Sequence, residues 1–482
     1  MIPQWLWTAL TLALEVPALV AIVYLLRRPR EPRAMLAWIL ALIFLPGVGL
    51  LLFLLFGEPR RRWHRRRRRR THRRLKTAAF GATIDWRPED FTYCARDARP
   101  ELRPLIGLTE RLDSYSPTHG NHVTVCHDAE RTFQTIQQAV ANATDHVHLE
   151  YYIFQPDQTG QAVRDLLIAK AREGIPCRLL LDYVGCLRLP RRFVRPMEEA
   201  GVHVAFSMPI VPWHGRWRVN YRNHRKIAVI DGQIGFTGSQ NIGDEYRGRL
   251  AKFGPWRDTH LRIAGPAVQQ LQDVFVHDWY YSTQQALTDR RYFPKPTNAG
   301  DHVVQLVPSG PDLPAPVMHQ LLFAAVSAAR SSIRFITPYF VPDTAMILAL
   351  QSAALRGVRV QLVIPTCSDH RIVLWAGRSF YPELTQAGVE IYEHDETMLH
   401  SKVVIVDQTW AMVGSANMDE RSFRINFELT AILYSQELAE ELHRDFEIQI
   451  TRSRRIHTSD ADKLSAAHSI ALGLARLASP LL

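Results

Sequence analysis

Two long apolar runs open the chain, Trp5 to Leu26 and Met35 to Phe56. Each is long enough to span a bilayer, which takes roughly 20 apolar residues. Only Arg27-Arg28-Pro29-Arg30-Glu31-Pro32-Arg33-Ala34 separates them, so the pattern predicts a tight transmembrane helical hairpin. A cleaved signal peptide is the rival for the first run, but Met1 is not followed by a basic region and no small-residue cleavage site follows Leu26. Glu15 in hydrocarbon would cost roughly 2.5 to 3.5 kcal/mol on insertion scales, so it is expected to face the second helix or a polar depth. Pro17 beside it is a candidate kink.

Beyond the hairpin the pattern changes to short apolar strands alternating with amphipathic helices, and it does so twice. A strand at His146 to Phe154 leads through Pro156-Asp157 to a helix over Val163 to Arg172, a stop at Gly174, and a strand at Arg178 to Val184. The second passage runs Ser332 to Phe340, Pro342-Asp343, a helix to Arg356, Gly357, and a strand at Val358 to Ile364. Glycine just past a helix is the expected stop. Apolar runs such as Val403 to Val406 fit strands covered on both faces. The expected fold class is therefore α/β: two pseudo-twofold-related halves, each α/β/α, after the N-terminal hairpin. The divisions are 1–59 hairpin, 60–112 arginine-rich linker, 113–290 first half, 291–300 linker with Pro294 and Pro296, 301–453 second half and 454–482 tail.

The net charge of +11 sharpens this picture once it is located. Arg60 to Lys76 holds eleven Arg and one Lys without an acid, which is +12, and residues 1–59 contribute 4 − 3 = +1, so residues 77–482 sum to 11 − 12 − 1 = −2. A domain gripping nucleic acid along many phosphates normally has a basic face of its own, so nucleic acid is disfavoured as a partner. The tract predicts a cytoplasmic location for the chain beyond it, although the four Arg between the two runs pull the other way. It also suits an anionic membrane surface, at about 1 kcal/mol per basic residue. Five cysteines without Cys-x-x-Cys spacing point neither to zinc nor to a disulfide framework.

The chemistry sits in a repeated motif. His224-Arg-Lys226-Ile-Ala-Val-Ile-Asp231 is followed by Gly238-Ser239-Gln-Asn241, and His400-Ser-Lys402-Val-Val-Ile-Val-Asp407 by Gly414-Ser415-Ala-Asn417. Ser follows His by fifteen positions and Asn by seventeen in both. Side chains alternate along a strand, so each His shares a face with its Lys. Imidazole and ammonium aimed at one point suit a phosphate, the Lys neutralising charge while the His attacks or moves a proton. Asp231 and Asp407 complete the motif and enter the catalytic candidate set with His224, Lys226, His400 and Lys402. An extended strand nonetheless carries Asp about 23 Å from its His, at about 3.3 Å per residue, which favours a hairpin-turn role. With a two-residue turn, Ser239 pairs opposite His224 and Ser415 opposite His400, lining the site with Asn241 and Asn417 as donors to phosphate oxygens. One His from each half, meeting at the pseudo-twofold interface, would supply nucleophile and acid without metal or cofactor.

His-x-Lys-x4-Asp twice, each with Gly-Ser-x-Asn, resembles the phospholipase D superfamily. The arginine-and-Trp38 hairpin ending in Phe56-Gly57, Thr337-Pro-Tyr-Phe-Val-Pro-Asp343, Trp256-Arg-Asp258 and the closing Ser479-Pro-Leu-Leu482 resemble its cardiolipin synthase branch. The resemblance implies a phosphatidyltransferase of a bacterial inner membrane, multi-pass, with a cytoplasmic catalytic body. One phosphatidylglycerol would give its phosphatidyl group to a histidine and a second would resolve the intermediate. It implies attack by His224, acid and then base catalysis by His400, and orienting carboxylates at Asp258 for His224 and Glu428 for His400. Asn426, Arg421 and Ser422 are further lining candidates. Competing readings are a relative that uses phosphatidylethanolamine or water, a superfamily nuclease, and a non-catalytic membrane scaffold.

Overall fold

The computed structural model describes residues 3–27, 32–54, 88–112, 114–210, 220–249, 256–368, 370–459 and 465–479. The Arg60 to Lys76 tract and Phe56-Gly57 lie outside the described residues. The described residues fall into two compact units, an N-terminal helical one and a larger one that carries every described strand.

The first apolar run forms one helix, Gln4–Leu26. The second is broken: helix Pro32–Phe44 ends, Leu45 leaves helical geometry, and helix Pro46–Leu52 begins with its proline in the first turn. Pro46 has no N–H with which to continue the ladder, and its fixed φ suits a helix start. Ala18, Ala21 and Leu25 pack with Leu42 and Phe53, and Trp38 meets Phe53 edge-on with centroids 5.6 Å apart. A Cβ on Gly49 would lie 2.3 Å from the Ala41 carbonyl oxygen, so only glycine permits this approach. Glu15 is exposed on its helix. Among the described residues, no helix is long and apolar enough to cross a membrane.

In the large unit, the first half supplies strands β1 Thr118–Cys126, β2 Val147–Tyr151, β3 Cys177–Asp182, β4 His203–Ser207, β5 Ile227–Ile230, β6 Ile234–Gly238, β7 Trp256–Arg257 and β8 His260–Ala264. The second supplies β9 His302–Ser309, β10 Ser332–Ile336, β11 Phe340–Val341, β12 Arg359–Pro365, β13 Glu390–His394, β14 Met398–Leu399, β15 Val403–Val406, β16 Trp410–Gly414, β17 Met418–Asp419, β18 Glu428–Leu433 and β19 Ser453–Ile456. Fifteen of these join one sheet in the order β19-β13-β12-β10-β15-β16-β18-β9-β1-β8-β6-β5-β2-β3-β4. Read outward from the β9/β1 junction, the halves repeat the same order, and β19 is an extra edge strand on the second. The expected α/β pair of related halves is what the chain forms, and the halves share a continuous sheet.

The punctuation falls where the sequence pattern places it. Asp157 and Asp343 cap the helices Gln158–Arg172 and Thr344–Leu355 by accepting from the backbone N–H of Gly160 and Met346. Gly174 and Gly357 end those helices at φ +84° and +87°, a conformation that favours glycine.

The motif hairpins differ from expectation by one residue. Asp231 and Gly232 both have positive φ, and the Gln233 N–H bonds back to the Ile230 carbonyl as in a tight turn. Gln233 is nevertheless unpaired in the ladder, which begins at Ile230↔Ile234 and runs to Ile227↔Thr237. Val406↔Trp410 begins the second hairpin in the same way. Continuing the count puts Ser239 opposite Arg225 and Ser415 opposite Ser401, so the expected Ser–His pairing is corrected.

Residues on either side of the halves are packed into them. Leu102, Leu105 and Ile106, from the stretch expected as linker, join the second half's core beside Leu321 and Leu322. Tyr292 and Phe293 are buried with Phe275 and Trp279.

Candidate active site

Two crossings of chain between the halves build the site. Asn223 forms a parallel bridge with Phe427, the His224 N–H donates to the Phe427 carbonyl (2.9 Å), and the Phe427 N–H donates to the Arg222 carbonyl (2.9 Å). On the other side of the pseudo-twofold, β14 pairs with β7 so that Leu399 meets Arg257, and the His400 N–H donates to the Arg257 carbonyl (2.8 Å). The next residue along each strand then faces its counterpart. His224 lies beside Glu428, and His400 beside Asp258.

This exchanges the carboxylates expected from the family pattern. His224 Nδ1 is 2.9 Å from Glu428 Oε2 and 3.2 Å from Oε1. His400 Nδ1 is 3.0 Å from Asp258 Oδ1 and 3.2 Å from Oδ2. Each carboxylate comes from the half that does not carry its histidine, because the strands that present them interleave across the junction. Both carboxyl groups are fully buried. Burial alone would raise the Glu428 carboxyl, but His224, Lys226 and Ser415 outweigh it and hold it below the usual range. Asp258 is likewise lowered against burial, by His400, Lys402 and Ser239. An ionised partner on Nδ1 fixes the tautomer and leaves Nε2 for chemistry.

The imidazoles are electrostatically poor places for a proton. Burial is the main cause and brings His224 down to about 4; Glu428 opposes it, while Lys226 and Lys402 add to the lowering. His400 is lowered by burial and Lys402 against the pull of Asp258, with Lys226 contributing. The crossed pairing of each histidine with the other half's carboxylate brings the two motifs into one site. The lysines are held identically: Lys226 Nζ donates to the His224 carbonyl and Lys402 Nζ to the His400 carbonyl, both at 2.6 Å.

The remaining motif residues divide by distance from this centre. Ser415 Oγ donates to Glu428 Oε2 (2.5 Å), Ser422 Oγ to Oε1 (2.9 Å), and Asn426 Nδ2 to Oε1 (3.3 Å). Ser239 Oγ donates to the Thr259 carbonyl (3.0 Å), one residue past Asp258. Each Ser therefore supports the carboxylate of its own half, which orients the other half's histidine. Asn241 bonds Tyr246 and the Ile153 N–H, and the Asn417 N–H donates to Ser422 Oγ (3.0 Å).

Asp231 and Asp407 are corrected as catalytic candidates. Asp231 accepts from the backbone N–H of Thr144, Asp145 and His146 at 2.8 to 2.9 Å. Asp407 accepts from Arg330, Ser331 and Ser332 at 2.7 to 3.0 Å. They sit at the far ends of β5 and β15 and anchor the entries to β2 and β10. The strand reach that separates them from the phosphate is the physical reason.

Three further contributors stand outside the motif's repeated residues. Arg225, the variable residue of the first motif, is buried and donates to the carbonyls of Glu428 and Ser309 (3.1 Å each) while pairing with Asp278. Trp256 Nε1 donates to Asp258 Oδ2 (2.9 Å). Tyr152 meets the His224 ring edge-on at 5.0 Å. Trp256 has a signal in its place beside Asp258; nothing local distinguishes Arg225 or Tyr152 from ordinary core residues. Among the described residues, no group of His, Cys, Asp or Glu could hold a metal ion.

Comparison with known proteins identifies the family. A family model described as "Cardiolipin synthase, PLD-like domain" matches residues 136–279 and 322–449, and "Phospholipase D-nuclease N-terminal" matches 16–58. A cardiolipin synthase of Geobacillus kaustophilus is 40% identical over 94% of this chain and 90% of its own. One from Halalkalibacterium halodurans is 36% identical over 99% and 95%. The fold resembles that of the phosphatidylserine synthase of Haemophilus influenzae, with a TM-score of 0.60 over 75% of this chain and 95% of that one at 13% identity. With two such motifs folded into one site, the chain belongs to the cardiolipin synthase family of phospholipase D-like phosphatidyltransferases.

Proposed function

We propose that the chain makes cardiolipin from two phosphatidylglycerols through a phosphohistidine. His224 Nε2 attacks phosphorus; the P–O bond to the departing glycerol breaks, and His400 gives that oxygen its proton. The glycerol hydroxyl of a second phosphatidylglycerol then attacks phosphorus, His400 takes its proton, and the N–P bond breaks. Lys226 and Lys402 neutralise the phosphoryl oxygens, and the incoming diester, an anion in a buried site, makes the His400 imidazolium easier to form. The observation that carries this reading is the crossed pairing of each Nδ1 with a buried carboxylate, which leaves one Nε2 to attack and the other to move the proton. His224 is assigned the attack from the family resemblance, and burial, which lowers both imidazoles, keeps its ring unprotonated and nucleophilic.

The N-terminal helices are proposed to lie in the bilayer. Leu19, Val20, Val23 and Leu26 on one helix, and Leu36, Leu40 and Ile43 on the next, are exposed, and an apolar surface of this kind is stable only against lipid or another apolar partner. The catalytic body is assigned to the cytoplasmic face of a bacterial inner membrane, on the positive tract that follows the hairpin. Purified protein given labelled phosphatidylglycerol should release glycerol and form cardiolipin without a nucleotide. Phosphatidic acid as the sole product would make it a hydrolase, and cleaved DNA a nuclease.

A further inference from the structure

The C-terminal helix, Ala466–Leu477, is apolar on opposite sides. Leu472 and Ala475 are buried against the body. Ile470, Leu474 and Leu477, spaced to share the other face, are 63%, 63% and 78% exposed. His468, Ser469 and Arg476 supply its polar positions, and protein covers only one of its two apolar sides, leaving the other to a partner. The helix Arg371–Arg378 beside it exposes Ile372, and helices Val317–Ala328 and Thr344–Leu355 expose Phe323, Leu348 and Leu355. Beyond the N-terminal helices, the other exposed large apolar side chains among the described residues are Leu187 and Ile448 alone. Seven of nine thus gather on helices that pack into one core layer of the second half, a concentration that marks an interaction surface.

The charge of this surface selects the partner. The helices Arg371–Arg378 and Ala466–Leu477 carry three arginines and no carboxylate of their own; Arg378 pairs with the buried Glu393 and Arg476 with Glu383 from adjoining elements. The Arg476 guanidinium lies 4.4 Å from the Phe380 ring centroid and reaches Glu383 and the Ser379 carbonyl. Arg454 and Arg455 of the neighbouring edge strand β19 are exposed. Arginines around exposed leucine and isoleucine are the pattern of a helix lying in the headgroup boundary; the centre of a protein interface is depleted of charge. A cavity of about 260 Å³ bordered by Arg378, Tyr381 and Leu472 lies beside the helix.

We propose that this helical layer, with the C-terminal helix at its crest, is a docking face for an anionic bilayer. The layer holds the catalytic body against the membrane independently of the N-terminal helices. The inference rests on the reading that the enzyme works on bilayer lipid.

Full-length protein in vesicles of phosphatidylglycerol and phosphatidylethanolamine tests it. Cys94→Ser and Cys367→Ser remove the thiols that are not buried, and a fluorophore is placed through Leu474→Cys or, as control, through the 73%-exposed Arg195→Cys. Nitroxide lipids should quench the label at 474 and not at 195. Equal access of both labels to aqueous iodide would overturn the proposal, as would fluorescence homo-transfer between labels at 474 that disappears on dilution with unlabelled protein, which would mean that a second copy covers the face. The variant Ile470→Ser/Leu474→Ser/Leu477→Ser should lose roughly an order of magnitude in rate on vesicles and nothing in detergent-mixed micelles; equal rates in both would also overturn it. If the variant is inactive everywhere, the label at 474 still decides. A quenched label in a protein that makes no cardiolipin would sink the proposed reaction and leave the docking face standing.

Discussion

Glu428→Gln keeps the shape of the side chain and removes the charge that steadies His224, so it isolates orientation from packing. The amide cannot stabilise an imidazolium or hold one tautomer, and turnover should fall about 10²- to 10⁴-fold in a glycerol-release assay. The same change should move the acid limb of kcat/KM downward, because Glu428 is what raises the His224 value and its loss lets burial and the lysines depress it further. An upward shift would contradict the assignment. His224→Ala and His400→Ala should each abolish cardiolipin formation, and near-normal turnover by either would refute a shared site. Ser415→Ala removes one of the donors to the same carboxylate and should cost about tenfold. The motif histidines, lysines and serines are all legible in the sequence from spacing. Which carboxylate serves which histidine is not, because that depends on strands from two halves interleaving, and spacing within one half carries no trace of it.

At the scale of elements, the motif aspartates act as staples. Each gathers three backbone N–H groups at the start of a neighbouring strand, so Asp231→Ala or Asp407→Ala leaves donors without their acceptor. Each should lower stability by about 1–3 kcal/mol, read as a shifted denaturant midpoint, while folded enzyme keeps its turnover rate. Activity lost without a change in stability would return these aspartates to the chemistry. The strands, helices, caps and glycine stops can be read from alternation and punctuation. The hairpin register cannot, since one unpaired residue, Gln233, moves every later pair and no local signal marks it. The broken second apolar run shows the converse: Pro46 announces the break, but hydrophobicity alone reads straight through it.

Across the whole molecule, burial of histidine sets the response to acid. His148, His224, His260 and His400 are all pushed below the ordinary value by burial, two of them to about 4. A group whose folded value is depressed binds protons preferentially in the unfolded chain, so stability falls as pH drops from about 6.5 towards 4. At pH 5 each histidine near 4 costs about 2 kcal/mol relative to neutral pH. His127 acts in the opposite sense: burial would lower it, but Asp445 and Glu441 outweigh that and raise it to about 9, so its contribution is lost as pH rises through that value. Thermal unfolding should therefore be most resistant between about pH 7 and 8.5, and a midpoint still rising towards pH 5 would contradict the buried, neutral state of these rings. The two-half plan is legible because it is written as repetition. The continuity of the sheet through β1 and β9 is not, as edge pairing leaves no periodic mark.

The crossed carboxylates also govern what an unfinished chain can do. Glu428 is synthesised 204 residues after the histidine it steadies, and Asp258, although made early, has no imidazole to serve until His400 follows it by 142. A nascent or truncated chain that carries only the first half holds one unsupported nucleophile and one idle carboxylate. Such a fragment is expected to be inactive towards the phosphodiesters around it, with turnover appearing only in chains that extend past Glu428, as a truncation series assayed for glycerol release would read.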